Sequence, residues 1–485
     1  MADTRDLKSL GEKSLCGFDP RLGHCRLTRS CGKFSPVLKV SGICRSLKIS
    51  HRQSRMHEMT TLNFFAILFL LPASVASNSA YDPEWGSIQS SRIIRIAAEV
   101  GAKDTSNGER LRRAIESLVP GDQLEIGAGT FSIDRLWDLN ISGTVDDPIR
   151  IVAAKDAKVV ITRPDAKQNI LNIGQSQPVQ YVVLRGLEFT GGSHGIRLGA
   201  CSNVWIDRCH VHHTQGVSLS ANSADTHHLY LTRNMIHDGG GTAEGMYLGG
   251  NNGDVIMSQS VIALNHVYNC RGSQGDGIEV KQGSWGNLIA ENTVHDCNYP
   301  CITIYGTNGK QQNIIERNVC YRSLDSAMQV QGEAIVRNNL LVDGKNAAFA
   351  STDHQGKTTN LQVTHNTLVN TSHAFRGGSW NARDNMVLAN NVIYSKERNA
   401  VHFANGFAGV TIAGNVVLGE GAKHGSAMGR GIQDFKELAW DASKLDATPA
   451  EDAPFDQGTD AYLWPVDIAG KTRRAGAVTS GAAAR

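Results

Sequence analysis

Eight segments of this chain share one short pattern: a few strand-forming residues, then Asn, then two or three mostly apolar residues. They read LTRNMIH, ALNHVYN, AENTVHD, ERNVCYR, VRNNLLV, THNTLVN, ANNVIYS and AGNVVLG. The shared residues are Asn234, Asn265, Asn292, Asn318, Asn339, Asn366, Asn391 and Asn415, at intervals of 31, 27, 26, 21, 27, 25 and 24. DRCHVHH extends the series upstream with Cys209 in place of Asn. A repeat of about 25 residues without helical periodicity predicts a parallel β-solenoid, each coil stacked on the last. Asn can take the left-handed turn conformation and hydrogen-bond its copy one coil away, so it recurs for packing. His212, His237, Tyr268, His295 and Tyr321 each stand three places after the repeated residue, and a stacked ring column is expected of them rather than metal ligation.

A second strand recurs as GIRLG, GVSLS, GMYLG, GIEVK, CITIY and AMQVQ. Period-2 alternation turns Ile196, Val217, Met246, Ile278, Ile302 and Met328 inward, with Leu198, Leu219, Leu248, Val280, Ile304 and Val330 as the next inward layer. Arg197, Ser218, Tyr247, Glu279, Thr303 and Gln329 then face outward. Upstream, SNGERLRRAIESLVPGDQ predicts a helix over 108–118 with Leu111, Ile115 and Leu118 on one side, suited to cover the open end of the solenoid. The abundance of Gly (50 residues) over Pro (12) agrees with many tight turns. Lys+Arg (48) nearly balances Asp+Glu (46), which argues against a nucleic-acid binder or a polybasic membrane surface.

Ahead of the repeat, LNFFAILFLL is ten apolar residues long, with Arg52 and Arg55 before it and Ser74 and Ala76 after it. A bilayer needs about 20 helical residues, so this segment reads as a secretory signal cut after Ala76 or Ala80. Translation is then expected to start at Met56 or Met59, leaving 1–55 as a misassigned extension. The competing reading is a genuine cytosolic N-terminal region ahead of a buried helix. Export permits disulfides among Cys201, Cys209, Cys270, Cys297, Cys301 and Cys320, while buried free thiols are an equal expectation.

Repetition needs Gly277, Ile278, Val280 and Asn292, but not Asp276, Glu279 or Lys281. Aligning coils places Glu244 level with Asp276, Tyr247 level with Glu279, and Tyr305 beside Lys281. With coils about 4.8 Å apart these side chains converge on one patch, extended by Gln329 and Gln331. Glu244, Asp276 and Glu279 are candidate ligands for Ca²⁺, a hard cation that prefers oxygen. Lysine beside such a cation has its pKa lowered and can act as base on the carbon alpha to a uronic-acid carboxylate, with Tyr305 or Tyr247 protonating the leaving oxygen. Glu279, Gln329, Gln331 and Trp285 are candidate substrate contacts. Ion pairs on a solvated face, or a hydrolase using two of the carboxylates, are the competing readings.

Coil spacing, helical cap and Asn turns resemble the secreted right-handed parallel β-helix proteins over 107–418. Within them, 276–306 is similar to the core of the polysaccharide lyases that include chondroitinase B and alginate lyases. That family pattern has an acidic calcium ligand, a catalytic Lys five residues on, an N-T-F-like turn, and an Arg after a short strand. Asp276, Lys281 and the ENTV segment match the first three; Tyr305 stands near the place of the Arg. The aspartate-rich site of polygalacturonase-type hydrolases and the DPHD of mannuronan epimerases are absent from the sequence. The resemblance implies Asp276 as metal ligand and Lys281 as base.

The expectation is an all-β, right-handed parallel β-helix with an N-terminal capping helix. Its parts are an extension (1–55), a signal peptide (56–76), a segment with the capping helix (77–121), the β-helix (122–418) and a tail that caps or is disordered (419–485). Its expected function is that of a secreted or periplasmic monomeric lyase on an acidic polysaccharide, with Ca²⁺ and without nucleic acid or membrane partners. The alternatives are a non-catalytic polysaccharide-binding or adhesion protein and, more remotely, a glycoside hydrolase.

Overall fold

The computed structural model describes residues 80–485, so the expectations for the extension and the signal lie outside the described residues. The chain winds through three parallel sheets, here walls A, B and C, of 15, 13 and 11 strands. One coil shows the order: Cys201–Asp207 lies in wall A, His210–His212 in wall B and Leu219–Ala221 in wall C. Each strand pairs in parallel with its counterpart one coil on. Apolar side chains from the three walls fill one continuous core from Leu111 to Val417. This is a parallel β-helix. Among the described residues no helix is long and apolar enough to cross a membrane.

The repeated asparagines are buried and form a ladder. The backbone N–H of each ladder residue donates to Oδ1 of the Asn one coil on, from Cys209–Asn234 to Asn391–Asn415, at 2.8–3.0 Å. Each Nδ2 also donates to the next Oδ1 and to a wall A carbonyl, as Asn292 does to Asn318 (3.0 Å) and Ile262 (2.9 Å). These corner amides are thereby satisfied without water. The left-handed residue is the one before each Asn, not the Asn itself: Arg233, Leu264, Glu291, Arg317, Asn338, His365 and Asn390 all have φ near +55°. The side-chain ladder fixes the corner so firmly that residues of every kind accept that conformation. A second, shorter ladder of Ser260, Asn287 and Asn313 marks the entry to wall A.

The expected ring column is present on wall B. His212, His237, Tyr268, His295 and Tyr321 stack with centroids 4.5–5.3 Å apart and planes within 16°. Wall C matches the expected register from Met246 onward, but not before. Leu219, not Val217, pairs with Ile196 and Met246, so Ser220 rather than Ser218 stands beside Tyr247. Both Val217 and Leu219 fit an alternating strand, and the Thr214–Gly216 turn selects the second.

The helix spans Asp104–Glu116, beginning four residues ahead of expectation, and buries Leu111 and Ile115. Its Gly108 lies so near the Ser132 carbonyl that a Cβ would sit 2.0 Å from the oxygen. The segment 419–485 is folded onto the solenoid: the Phe435–Leu438 and Leu445–Pro449 strands form a hairpin over a second apolar cluster with Tyr394 and Phe455. The six cysteines of the β-helix are free and buried.

Removing one rung tests the ladder. Asn292→Ala removes the Oδ1 that accepts from both the Asn265 N–H and Nδ2 in a dry interior, and is expected to cost about 2–4 kcal/mol at roughly 1–3 kcal/mol per orphaned group. Denaturant titration measures it, with the exposed Lys155→Ala near zero as the control.

Candidate active site

Two glycines set the entry to wall C. A Cβ on Gly277 would lie 2.2 Å from Val294 Cγ1, and one on Gly245 would lie 2.5 Å from Val267 Cγ1. The chain therefore presses against wall B at this corner, and the residues just before the glycines, Asp276 and Glu244, are held level one coil apart. Beyond them, Tyr247, Glu279, Thr303 and Gln329 form one outward row in register, as aligned from the sequence. Lys281, Tyr305 and Gln331 form the next row, each donating its N–H to the preceding coil.

The structure brings Glu244, Tyr247, Asp276, Glu279, Lys281 and Tyr305 together. Lys281 Nζ donates to Glu279 Oε1 at 2.6 Å and lies 4.7 and 4.9 Å from the ring centres of Tyr247 and Tyr305. An ammonium between two aromatic faces and a carboxylate is stabilised from three sides. Although the patch faces outward, Lys281 is only 4% exposed, and Asp276, Glu279, Glu244 and Gln331 are likewise buried.

Burial shapes the protonation of the cluster. Desolvation, and then the negative charge of Glu279, push the Asp276 carboxyl well above its usual range, despite a 2.5 Å hydrogen bond from Thr303 Oγ1. Desolvation also raises Glu244, whose Oε2 is buried without a hydrogen-bond partner. For Lys281, burial would lower the pKa, but Glu279 and Tyr247 outweigh it and hold the ammonium above its ordinary value. The depression expected from the sequence is thus not produced by the protein's own groups. Tyr247 and Tyr305 are both raised, chiefly by burial.

The carboxylates do not make a ready cage for Ca²⁺. Among the described residues, Glu244, Asp276 and Glu279 are not a triad with ligand oxygens within 4.8 Å of one another, and Glu279 is already neutralised by Lys281. No step is therefore derived through a metal.

Gln331 lies in the site with both amide atoms unpartnered, whereas Gln329 turns back to Asp325 Oδ1 at 3.2 Å. Trp285 stands at the corner leading to wall A, facing Lys310 rather than Lys281. Thr303 fills the outward position beside Glu279, as aligned, but its hydrogen bond to Asp276 was not foreseen, and one contributor was missed in the sequence: His354 packs its ring 5.6 Å from Tyr305. Burial, then the Lys281 charge, lower the His354 pKa. His354 belongs to the loop between Ala347–Ser351 and Leu361–Thr364, which carries no repeat signature.

The cluster does not stand alone on its row. Arg197 lies three coils before Glu279 and Arg376 four coils after it, so cations flank an acidic centre along wall C.

Comparisons with known proteins agree with this architecture. Residues 165–311 match the family model described as a right handed beta helix region. No curated protein sequence matches the chain. Among solved structures, pectate lyase Pel9A superposes with a TM-score of 0.51 at 15% identity, covering 82% of this chain and 98% of that one. The PL6 family alginate lyase AlyGC gives 0.48 at 14% identity over 77% and 60% of the two chains. An alginate lyase from Paenibacillus sp. str. FPU-7 gives 0.41 at 17% over 66% and 99%. At these identities the likeness is one of fold, and the chain is a right-handed parallel β-helix.

Proposed function

We propose that this protein is an exported lyase that cleaves a uronic-acid-containing polysaccharide by β-elimination at the wall C cluster. The observation that carries the reading is Lys281, buried between Tyr247 and Tyr305 and bonded to Glu279. A charged lysine held in so dry a setting, with two raised carboxyls beside it, is more than a solvated surface needs. The flanking Arg197 and Arg376 suit a polyanion laid along the coils, and a pectate lyase built on the same fold is consistent with an acidic polymer.

The chemistry follows from the protonation states. Asp276 and Glu244, whose carboxyls burial shifts toward the protonated form, can in that form donate hydrogen bonds to the substrate carboxylate and offset the negative charge that grows on it. When substrate displaces water, the Lys281–Glu279 ion pair loses solvation, and transfer of the proton to Glu279 leaves a neutral amine. That amine takes the proton alpha to the carboxylate. The C–H electrons pass into the enediolate and then form the carbon–carbon double bond as the glycosidic C–O bond breaks. Tyr305, or Tyr247 from the opposite side of Lys281, supplies a proton to the leaving oxygen.

The direct test is incubation of the protein with pectate, alginate, chondroitin and glucuronan, following the ultraviolet absorbance of the unsaturated product. Lys281→Ala is expected to lower the rate roughly 100- to 10,000-fold, the usual weight of one positioned acid–base group, with Tyr305→Phe weaker but clearly impaired. Full activity in Lys281→Ala would refute the mechanism. Binding of every polymer without cleavage would favour the adhesion reading.

A second prediction concerns stability. A carboxyl raised by burial binds its proton in the folded chain after the unfolded chain has released it, so it weakens the fold as pH rises above the ordinary value of about 4. Asp276→Asn keeps the Thr303 contact and is expected to raise Tm at pH 8, with the gain shrinking toward pH 4; melting curves across that range measure it.

A further inference from the structure

The outer face of wall B carries a donor set that the reading above does not use. His210 and His212 occupy alternate positions of one strand, so both point outward. Glu188 stands in register with His210 one coil before, and His237 in register with His212 one coil after. His210 Nε2 lies 2.7 Å from His237 Nε2, and His212 Nε2 lies 3.3 Å from Glu188 Oε1. One ligand atom each from Glu188, His210 and His212 falls within 4.8 Å of the others.

The surroundings orient these donors. Asp238 Oδ2 accepts from His237 Nδ1 at 2.6 Å, which fixes the tautomer and leaves the Nε2 lone pair directed at His210. Asp238 thereby sets the orientation of His237, whose ring in turn abuts His210. His212 Nδ1 lies 2.6 Å from His213 Nδ1, while its Nε2 lies against Glu188 Oε1.

The same strands contain an internal comparison. Two coils on, His266 Nε2 lies 2.9 Å from His295 Nε2, and Asp296 backs His295 at 2.6 Å. There Tyr268 occupies the place of His212, and Met235 the place of Glu188. The ring pair is thus a recurring packing device, but of these two copies only the first adds Glu188 and His212 beside the outward histidine.

We propose that Glu188, His210 and His212 form a binding site for a divalent transition metal of the Zn²⁺ class on wall B, with His237 packed against His210, separate from the wall C cluster. Imidazole nitrogens with one carboxylate suit Zn²⁺ or Co²⁺ over Ca²⁺ or Mg²⁺, which prefer all-oxygen shells.

The test uses the whole protein, stripped with chelator and titrated with ZnCl₂ by calorimetry and with CoCl₂ by visible spectroscopy. A single site with intense Co²⁺ d–d bands, displaced by Zn²⁺ and not by Ca²⁺, is expected. His210→Ala and His212→Ala should each weaken binding by about tenfold or more, and Asp238→Asn, which acts only through His237, by less than either. Glu188→Gln, which preserves shape, guards against misfolding as the cause of any loss. His266→Ala should bind as tightly as the unsubstituted chain. Absence of Co²⁺ bands, unchanged affinity in His210→Ala, or equal loss in His266→Ala would each overturn the assignment.

Discussion

The asparagine ladder is the constraint on which the rest depends. Its bonds run from coil to coil rather than within a coil, so they hold one residue per turn at one height along the axis. Once that point is fixed, the strands on either side cannot slip, because sliding a strand by one place would turn its apolar side chains out of the core. Register along wall C is therefore inherited from a corner outside it. Residues as far apart in sequence as Glu244, Lys281 and Tyr305 become neighbours by this means alone.

The interior and the outer face of the walls obey different rules. Inside, volume decides, and the core accepts little beyond aliphatic side chains, cysteine and phenylalanine. Outside, a solenoid has no general need for charge at any one position, which makes a local concentration of buried charge informative. On wall C the charges are mixed, and burial with Glu279 separates the states of Asp276 and Lys281, one favoured neutral and the other charged. On wall B the donors are mostly imidazoles, and burial first lowers the pKa of His210 and His212. The same scaffold thus presents two faces with different chemical preferences.

Much of this was legible in the sequence because a repeat writes each rule many times. The ladder, the ring column and the pairing of Tyr247, Glu279 and Thr303 all follow from aligning one motif on the next. Val217 was misplaced because two alternating apolar residues satisfy the pattern equally, and only the preceding turn distinguishes them. The left-handed position was assigned one residue late because the residues that adopt it, among them Arg233, Leu264 and Glu291, share no chemistry. The raised pKa of Lys281 depends on a 2.6 Å contact with Glu279, which spacing suggests but cannot measure. His354 comes from a loop outside the repeat.

The left-handed corner between walls A and B has one more property. In the early coils it is covered by the segment after residue 80: Asp82 meets Arg233, and Tyr81 meets Glu291 and Arg317. In the later coils the C-terminal segment takes over, with Val466 on Asn338, Tyr462 on His365, and Thr459 on Asn390. Both ends of the described chain are thus sewn along a single seam, facing away from wall C. None of these contacts falls on wall C, so the segment after residue 80 and the C-terminal segment both brace the solenoid from a corner other than the wall that carries Lys281.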